Sequence, residues 1–65
     1  MRIKKKLLDL SPGQKFYWNE NMCFWGEVIN QLPNNNTKIL DGGSDGNEYL
    51  EYAAGGNKKV WIEIE

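Results

Sequence analysis

The stretch from Gln14 to Asn30 constrains the fold of this chain more than any other part of it. Two runs that are rich in aromatic and β-branched residues flank the polar triplet 19–21, which is Asn-Glu-Asn. Aromatic and β-branched residues favour strands, and a short polar break between two such runs is typical of a β-hairpin. We therefore predict a hairpin with strands at about 14–18 and 22–30.

The second of these strands carries apolar residues on both of its faces, so we expect it to lie in the centre of a sheet. Gly26 lies in its middle. A glycine inside a strand often marks a β-bulge or a sharp bend, which small barrels use at their corners.

The remainder of the chain alternates short strand-forming segments with turns that are rich in Gly, Asn or Pro. The segment 11–14, Ser-Pro-Gly-Gln, has the proline and glycine positions of a type II turn. Strands are predicted at about 37–41, 47–53 and 58–65, and residues 2–8 fit a short strand or a helical turn. This pattern predicts one all-β domain over residues 1–65, either a five-stranded SH3-like barrel or a strongly bent antiparallel sheet.

Charge is distributed unevenly along the chain. Residues 1–15 carry a net charge of +4 and residues 41–65 a net charge of −4, although the whole chain has a net charge of only −1. If residues 2–8 pair with residues 58–65, Lys4 and Lys6 would lie opposite Glu63 and Glu65, and such cross-strand pairs stabilise a sheet. The alternatives for the lysine run are a nucleic-acid contact and a solvated tail.

The composition excludes most catalytic and metal sites. The chain has no histidine and one cysteine, so it can form neither an internal disulfide nor a Cys/His zinc site, and Cys23 has no histidine to act as its base. We expect Cys23 to be a small buried residue within a strand. The acidic segment that begins at Asp41 has Gly43 and Tyr52 where a calcium loop requires oxygen ligands. We predict a protein that is not an enzyme and that has no metal or cofactor.

The length of 65 residues also bears on partners. A chain this short buries only about 60% of its extended-chain surface, so its stability is marginal, and association with copies of itself or with another protein would add to it. No apolar run reaches the roughly 18 residues of a membrane span, and the opening residues lack a signal-peptide core. Together with the unpaired cysteine, this predicts a cytoplasmic protein and favours a homo-oligomer.

The eight aromatic residues are too many for one small core. We expect the core to contain Phe16 and Phe24 together with Ile39 and alternate residues of the last strand, Val60, Ile62 and Ile64. Trp61 should then point outward, where a lysine stem or a partner could cover it. Tyrosine and tryptophan are the anchors that interfaces favour. The candidate binding residues are Tyr17, Trp18, Trp25, Tyr49, Tyr52 and Trp61; the alternative is that the aromatic residues all pack against one another.

Two other kinds of ligand remain open at this point. Nucleic acid could bind through lysines beside Trp61, and the candidates are Lys4, Lys5, Lys6, Lys58 and Lys59. A small nucleotide-like ligand could also be held between subunits, with aromatic faces as the walls of its site.

The segment from Leu8 to Phe16 resembles the opening of many very small phage and prophage proteins, which have a Leu-x-x-Leu-x-Pro-Gly-x-x-Phe start followed by a hairpin and a few short strands. The resemblance implies a compact SH3-like β-barrel in a phage-type accessory protein. Such proteins bind a host protein, a nucleic acid or a small signalling ligand. Our leading prediction is a non-enzymatic module that binds a host protein and modulates or inhibits it in the host cytoplasm.

Overall fold

The structure, a computed structural model, describes residues 1–43 and 49–64 of the chain. It contains six strands and one short 3-10 helix. The strands are β1 (Arg2–Lys6), β2 (Lys15–Tyr17), β3 (Trp25–Leu32), β4 (Asn36–Gly43), β5 (Leu50–Gly55) and β6 (Lys59–Glu63), and the 3-10 helix, Leu7–Asp9, follows β1. No helix in the described ranges is long and apolar enough to cross a membrane.

All six strands belong to one antiparallel sheet with the order β1-β6-β2-β3-β4-β5. The all-β prediction is confirmed, whereas the predicted count of five strands is wrong. The additional strand is β1, which pairs along its whole length with β6 because the free edge of β6 offers it a full set of backbone partners. Strands β1 and β5 end the sheet on opposite sides, and the sheet is not closed between them in the described part of the chain.

The core lies on one face of the sheet, which we call the inner face. Its buried residues are Leu7, Leu10, Phe16, Val28, Ile39, Val60 and Ile62, with Thr37 as a buried polar residue. Leu7, Leu10 and Phe16 lie on either side of the turn at 11–14, so the first sixteen residues supply three of the seven buried apolar side chains. Burial on alternate residues of each strand follows from the two-residue period of side chains along a strand.

The side chain of Gln31 helps to hold the 3-10 helix over the core, together with backbone hydrogen bonds from Leu7 to Lys58 and from Leu8 to Gly56. The Gln31 Nε2 atom donates hydrogen bonds to the backbone oxygens of Leu7 at 3.0 Å and Leu10 at 2.9 Å. The Gln31 Oε1 atom accepts a hydrogen bond of 2.6 Å from the hydroxyl of buried Thr37. The side chain of Gln31 therefore satisfies polar groups on both the helix and strand β4, as buried polar groups require.

The predicted turn and bulge are both present. Gln14 donates its backbone N–H to the oxygen of Ser11 at 3.0 Å, and Gly13 has a φ of 90°, as a type II turn requires. The register of β3 against β4 shifts between Trp25 and Gly26. A β-carbon on Gly26 would lie 2.5 Å from Cζ of Phe16, so the bulge lets the largest buried side chain reach the sheet.

Three predicted side-chain positions are wrong. Phe24 is 44% exposed and Cys23 is exposed, because both residues lie in the connection that precedes β3 and not in the strand. Ile64 is 37% exposed because β6 ends at Glu63 and the core does not extend past it.

Pairing of the chain ends is confirmed, but the predicted lysine–glutamate contacts are wrong. Lys4 lies opposite Trp61, and Lys6 lies opposite Lys59. Glu63 instead lies opposite Arg2, with 3.9 Å between Nε and Oε2, and contacts the N-terminal amine at 3.2 Å. Glu65 lies outside the described residues, as do residues 47 and 48 of the predicted fourth strand.

Candidate binding surface

Three aromatic residues lie side by side across the outer face of the sheet. Tyr17 of β2 is directly opposite Trp61 of β6 on one side and Trp25 of β3 on the other. We call Trp61, Tyr17 and Trp25 the aromatic row. Side chains that oppose each other in an antiparallel sheet lie on the same face with β-carbons about 4.5–5.5 Å apart.

The position of the aromatic row follows from the alternation of side chains between the two faces along each strand. Val60 and Ile62 are buried on either side of Trp61, and Phe16 is buried next to Tyr17. Because successive side chains point to opposite faces, burial of these residues directs Trp61 and Tyr17 to the outside. Both side chains are half-buried, so their rings present part of their surface to solvent.

Two lysines lie over the rings of the aromatic row. Lys4 Nζ is 5.4 Å from the ring centroid of Trp61. Lys15 Nζ is 5.6 Å from the centroid of Tyr17 and 5.1 Å from that of Trp25. A cation at this distance from a ring face contributes about 0.5–1 kcal/mol at an exposed site.

The Trp25 end of the row is anchored in the fold. The six-membered ring of Trp25 lies directly over Gly42 of β4, where a β-carbon would clash with it. Tyr49 packs against Trp25 in a T-shaped arrangement, with ring centroids 5.8 Å apart, and is itself 55% exposed. Trp25 is thus a structural member of the row, whereas Tyr49 extends the row towards solvent.

The charges around the row are of both signs. Glu27 lies opposite Lys15 in the β2–β3 register, and Glu63 lies opposite Arg2 at the far edge. Lysine predominates near β1, where Lys4, Lys5, Lys6 and Lys59 line a shallow depression together with Asp9. The outer face therefore combines exposed aromatic surface with charged side chains of both signs, most of which are basic.

A second concave region lies on the inner face beside β5. This groove has a volume of about 420 Å³ and is lined by Trp18, Asp41, Tyr52, Ala54, Gly55 and Lys58. Trp18 packs edge-on against Phe16, with centroids 5.1 Å apart at 89°, and its buried indole N–H has no hydrogen-bond partner among the described residues.

Tyr52 and Asp41 form the polar side of this groove. The Tyr52 hydroxyl donates a hydrogen bond of 2.9 Å to Oδ2 of Asp41. Partial burial, together with this hydrogen bond and the negative charge of Asp41, raises the pKa of Tyr52 above its ordinary value of 10.0. The hydroxyl of Tyr52 is therefore protonated at neutral pH and donates its proton to Asp41.

The six predicted binding residues fall into two groups on opposite faces of the sheet. Trp61, Tyr17, Trp25 and Tyr49 are brought together on the outer face, while Trp18 and Tyr52 line the groove on the inner face. The five lysines predicted to bind nucleic acid also fall into two groups. Lys58 lines the groove, and the other four lie at the β1–β6 edge.

Sequence reasoning missed Lys15 and Asp41. Lys15 is two residues from Tyr17 on the same strand, so strand alternation alone could have placed it beside the aromatic row. Asp41 was considered only as a calcium ligand, and its contact with Tyr52 depends on the β4–β5 register, for which the sequence carries no signal.

Comparisons of the chain with protein-family models, with curated proteins and with solved structures gave no match. The arrangement of residues on the two faces is therefore the basis for any functional argument.

Proposed function

We propose that this protein is a binding module without catalytic activity and that it binds another protein through the aromatic row. The observation that carries the proposal is the alignment of Trp61, Tyr17 and Trp25 on three neighbouring strands. Tryptophan and tyrosine are the residues that most often dominate the binding energy of protein interfaces. A rigid sheet holds them in place, so little side-chain entropy is lost on binding.

The charges near the row favour a protein as the partner. Glu27 and Glu63 lie on the same face as the row, next to Lys15 and Arg2. A surface with both signs of charge complements the mixed charges of a protein surface, whereas the acidic groups would repel a polyanion.

The resemblance of the opening segment to phage proteins makes a host cytoplasmic protein the partner class to test first, with inhibition or modulation of that protein as the outcome. We also propose an SH3-like arrangement for the fold. Pairing of the first and last strands, β1 and β6, and the single core on one face support this proposal.

The experiment uses affinity capture from host lysate with mass spectrometry, comparing the native chain with Trp61→Ala. Loss of the indole should weaken partner binding by about 2 kcal/mol or more, as expected for an interface anchor, while circular dichroism shows a retained β-sheet. Tyr52→Phe is the matched control, since Tyr52 lies on the inner face and its change should leave capture intact.

The proposal is wrong if Trp61→Ala folds and captures the same proteins in the same amounts as the native chain. If Trp61→Ala fails to fold, Lys4→Ala serves as the second variant, because it uncovers the ring of Trp61 and leaves the core in place.

Single-stranded nucleic acid is a second candidate, and one observation favours it. Lys4 and Lys15 lie within 5.6 Å of the rings of the aromatic row, and aromatic rings interleaved with cations are what stacked bases and phosphates require. The affinity for a single strand should then fall steeply with salt. Undetectable binding at about 50 mM salt, or capture of host proteins that survives nuclease treatment, would exclude this candidate.

A further inference from the structure

The two edges of the sheet differ in chemistry. The β1 edge carries Arg2, Lys4, Lys5 and Lys6, and lysine is a residue with which natural sheets protect an edge from pairing. The β5 edge has the sequence Leu-Glu-Tyr-Ala-Ala-Gly, with Leu50 63% exposed and Tyr52 40% exposed. Strand β5 therefore carries one charged residue, Glu51, and has no lysine along an edge whose other side chains are apolar, aromatic or small.

The direction of the backbone groups on β5 follows from its pairing with β4. Gly56 donates its N–H to the oxygen of Asn35 at 2.7 Å, and the register then continues without a shift from Asn36↔Gly55 to Asp41↔Leu50. Because hydrogen-bonded pairs alternate along an antiparallel ladder, Tyr52 and its alternate neighbours bond to β4. The backbone N–H and C=O groups of Glu51 and Ala53 point away from β4, towards the side of β5 on which no other strand lies among residues 1–43 and 49–64.

We propose that a second copy of this chain binds this edge, with the two β5 strands antiparallel about a two-fold axis at Tyr52. Glu51 of each copy then exchanges backbone hydrogen bonds with Ala53 of the other. Tyr52 lies opposite Tyr52 of the second copy in a non-hydrogen-bonded pair, where side chains approach most closely and aromatic pairs stabilise a sheet. Leu50 lies opposite Ala54 on the inner face.

The side chains of β5 favour this register over its neighbours. An axis at Glu51 would place the two Glu51 carboxylates directly opposite each other, which destabilises a sheet. An axis at Ala53 would place Tyr52 opposite Ala54 and would separate the two tyrosine rings. A shift of the pairing register by an odd number of residues would place the inner face of one copy on the same side as the outer face of the other, which exposes apolar surface.

Pairing about Tyr52 also extends the groove on the inner face. Tyr52, Ala54 and Gly55 form its β5 side, and the same residues of the second copy would continue that side across the axis. The two grooves would then adjoin, with exposed Leu50 of one copy covered by the other. The outer aromatic row remains free, so this dimer is independent of the protein-binding function proposed above.

Charge substitutions at Ala53 provide a test of both the dimer and its register. In the dimer, residue 53 of each copy lies opposite Glu51 of the other. Within one copy, Ala53 lies opposite Lys38 of β4. Ala53→Glu should therefore weaken the dimer by about tenfold through two like-charge pairs while stabilising the monomer. Ala53→Lys, the matched control, should keep or strengthen the dimer while destabilising the monomer.

Sedimentation velocity over a range of concentrations measures the dimer dissociation constant, and denaturant unfolding of dilute samples measures the monomer. The expected result is a native dimer that Ala53→Glu dissociates and Ala53→Lys preserves. The proposal is wrong if the native chain is a monomer at millimolar concentration, or if both substitutions act alike. It is also wrong if Lys6→Pro, which alters the free edge of β1, dissociates the assembly as strongly as Ala53→Glu.

Discussion

At the scale of single residues, the contact between Gly26 and Phe16 shows how closely the core is packed. Phe16 is fully buried, and its ring fills the space that a β-carbon at position 26 would occupy. The glycine is required for this close approach, since its backbone forms part of the wall around the ring. The same principle applies at Gly42, which lies beneath Trp25 on the other face.

Gly26→Ala should lower the free energy of unfolding by about 2–3 kcal/mol, because the new β-carbon would lie 2.5 Å from Cζ and 2.9 Å from Cε1 of Phe16. Urea denaturation followed by tryptophan fluorescence measures the change. Gly55→Ala is the control, since nothing lies within 4 Å of its added β-carbon and its effect should stay within about 1 kcal/mol. Equal effects at the two positions would contradict the packing argument.

Tyr52 makes the stability of the fold depend on pH in the alkaline range. Its pKa is raised in the folded chain by burial and by Asp41, so the folded state holds the phenol proton more tightly than the unfolded state. This stabilisation is complete below pH 10 and is lost as the pH rises through the raised pKa. The pKa shift thus predicts a loss of stability with increasing pH.

Because Tyr52 is 40% exposed, solvent screens its contact with Asp41, so removal of the hydroxyl in Tyr52→Phe should cost only about 0.5 kcal/mol at neutral pH. This difference from the native chain should shrink above pH 10. Denaturant unfolding of both chains at several pH values, at one dilute protein concentration, measures the difference. A difference that grows with pH would show that Asp41 does not act on Tyr52 in this way.

At the scale of the elements, the pairing of β1 with β6 decides which charges meet. The register places Lys6 directly opposite Lys59, close to Lys4 and Lys5. Like charges that face each other across strands destabilise a sheet, so this edge is held by Ile3 opposite Ile62 and by the backbone ladder.

Lys59→Glu replaces that like-charge pair with an opposite-charge pair and should raise the free energy of unfolding by about 0.5–1 kcal/mol at low salt. The gain should diminish at about 1 M salt, where exposed charges are screened. Lys58→Glu is the control, because Lys58 precedes β6 and has no cross-strand lysine opposite it in the described register. A gain of equal size at both positions would point to net charge and not to the pairing of Lys6 with Lys59.

At the scale of the whole molecule, the fold is much thinner than it is wide. The described residues span 30 × 26 × 16 Å, and one layer of strands encloses a core with seven buried apolar side chains. A chain of 65 residues buries little apolar surface per residue, so a second copy on the β5 edge would add a large fraction of its stability. Stability and assembly would therefore be coupled in the dimer that we propose.

This coupling predicts that the melting temperature depends on protein concentration. A protein concentration one hundred times the dissociation constant adds about 2.7 kcal/mol to the free energy of unfolding. Each 1 kcal/mol shifts the melting temperature of a small domain by about 4–8 °C. Scanning calorimetry of the native chain should show this rise, and Ala53→Glu should show a weaker dependence. A melting temperature that is constant with concentration would refute the coupling.

The approximate positions of strands β2 to β6, the turn at 11–14 and an irregularity at Gly26 could be predicted, because each has a local sequence pattern. Strand β1 could not, since residues 2–8 fit a strand or a helical turn equally well. The alternation of apolar and polar residues within single strands is enough to identify Phe16, Ile39, Val60 and Ile62 as core residues. It was wrong for Phe24, since the hairpin connection is longer than the polar triplet indicated and moves that residue out of the strand.

The sequence by itself determined that this chain forms short strands with one apolar face and more aromatic rings than its core can hold. A period of two residues is a local property, and a chain reveals it without any knowledge of its partners. Only the tertiary structure decided that Trp61, Tyr17 and Trp25 lie in one row, that Lys4 contacts Trp61, and that β5 is the last strand of the sheet in the described part of the chain. An even shift in register keeps every side chain on its face and changes every neighbour, so these contacts depend on the whole sheet.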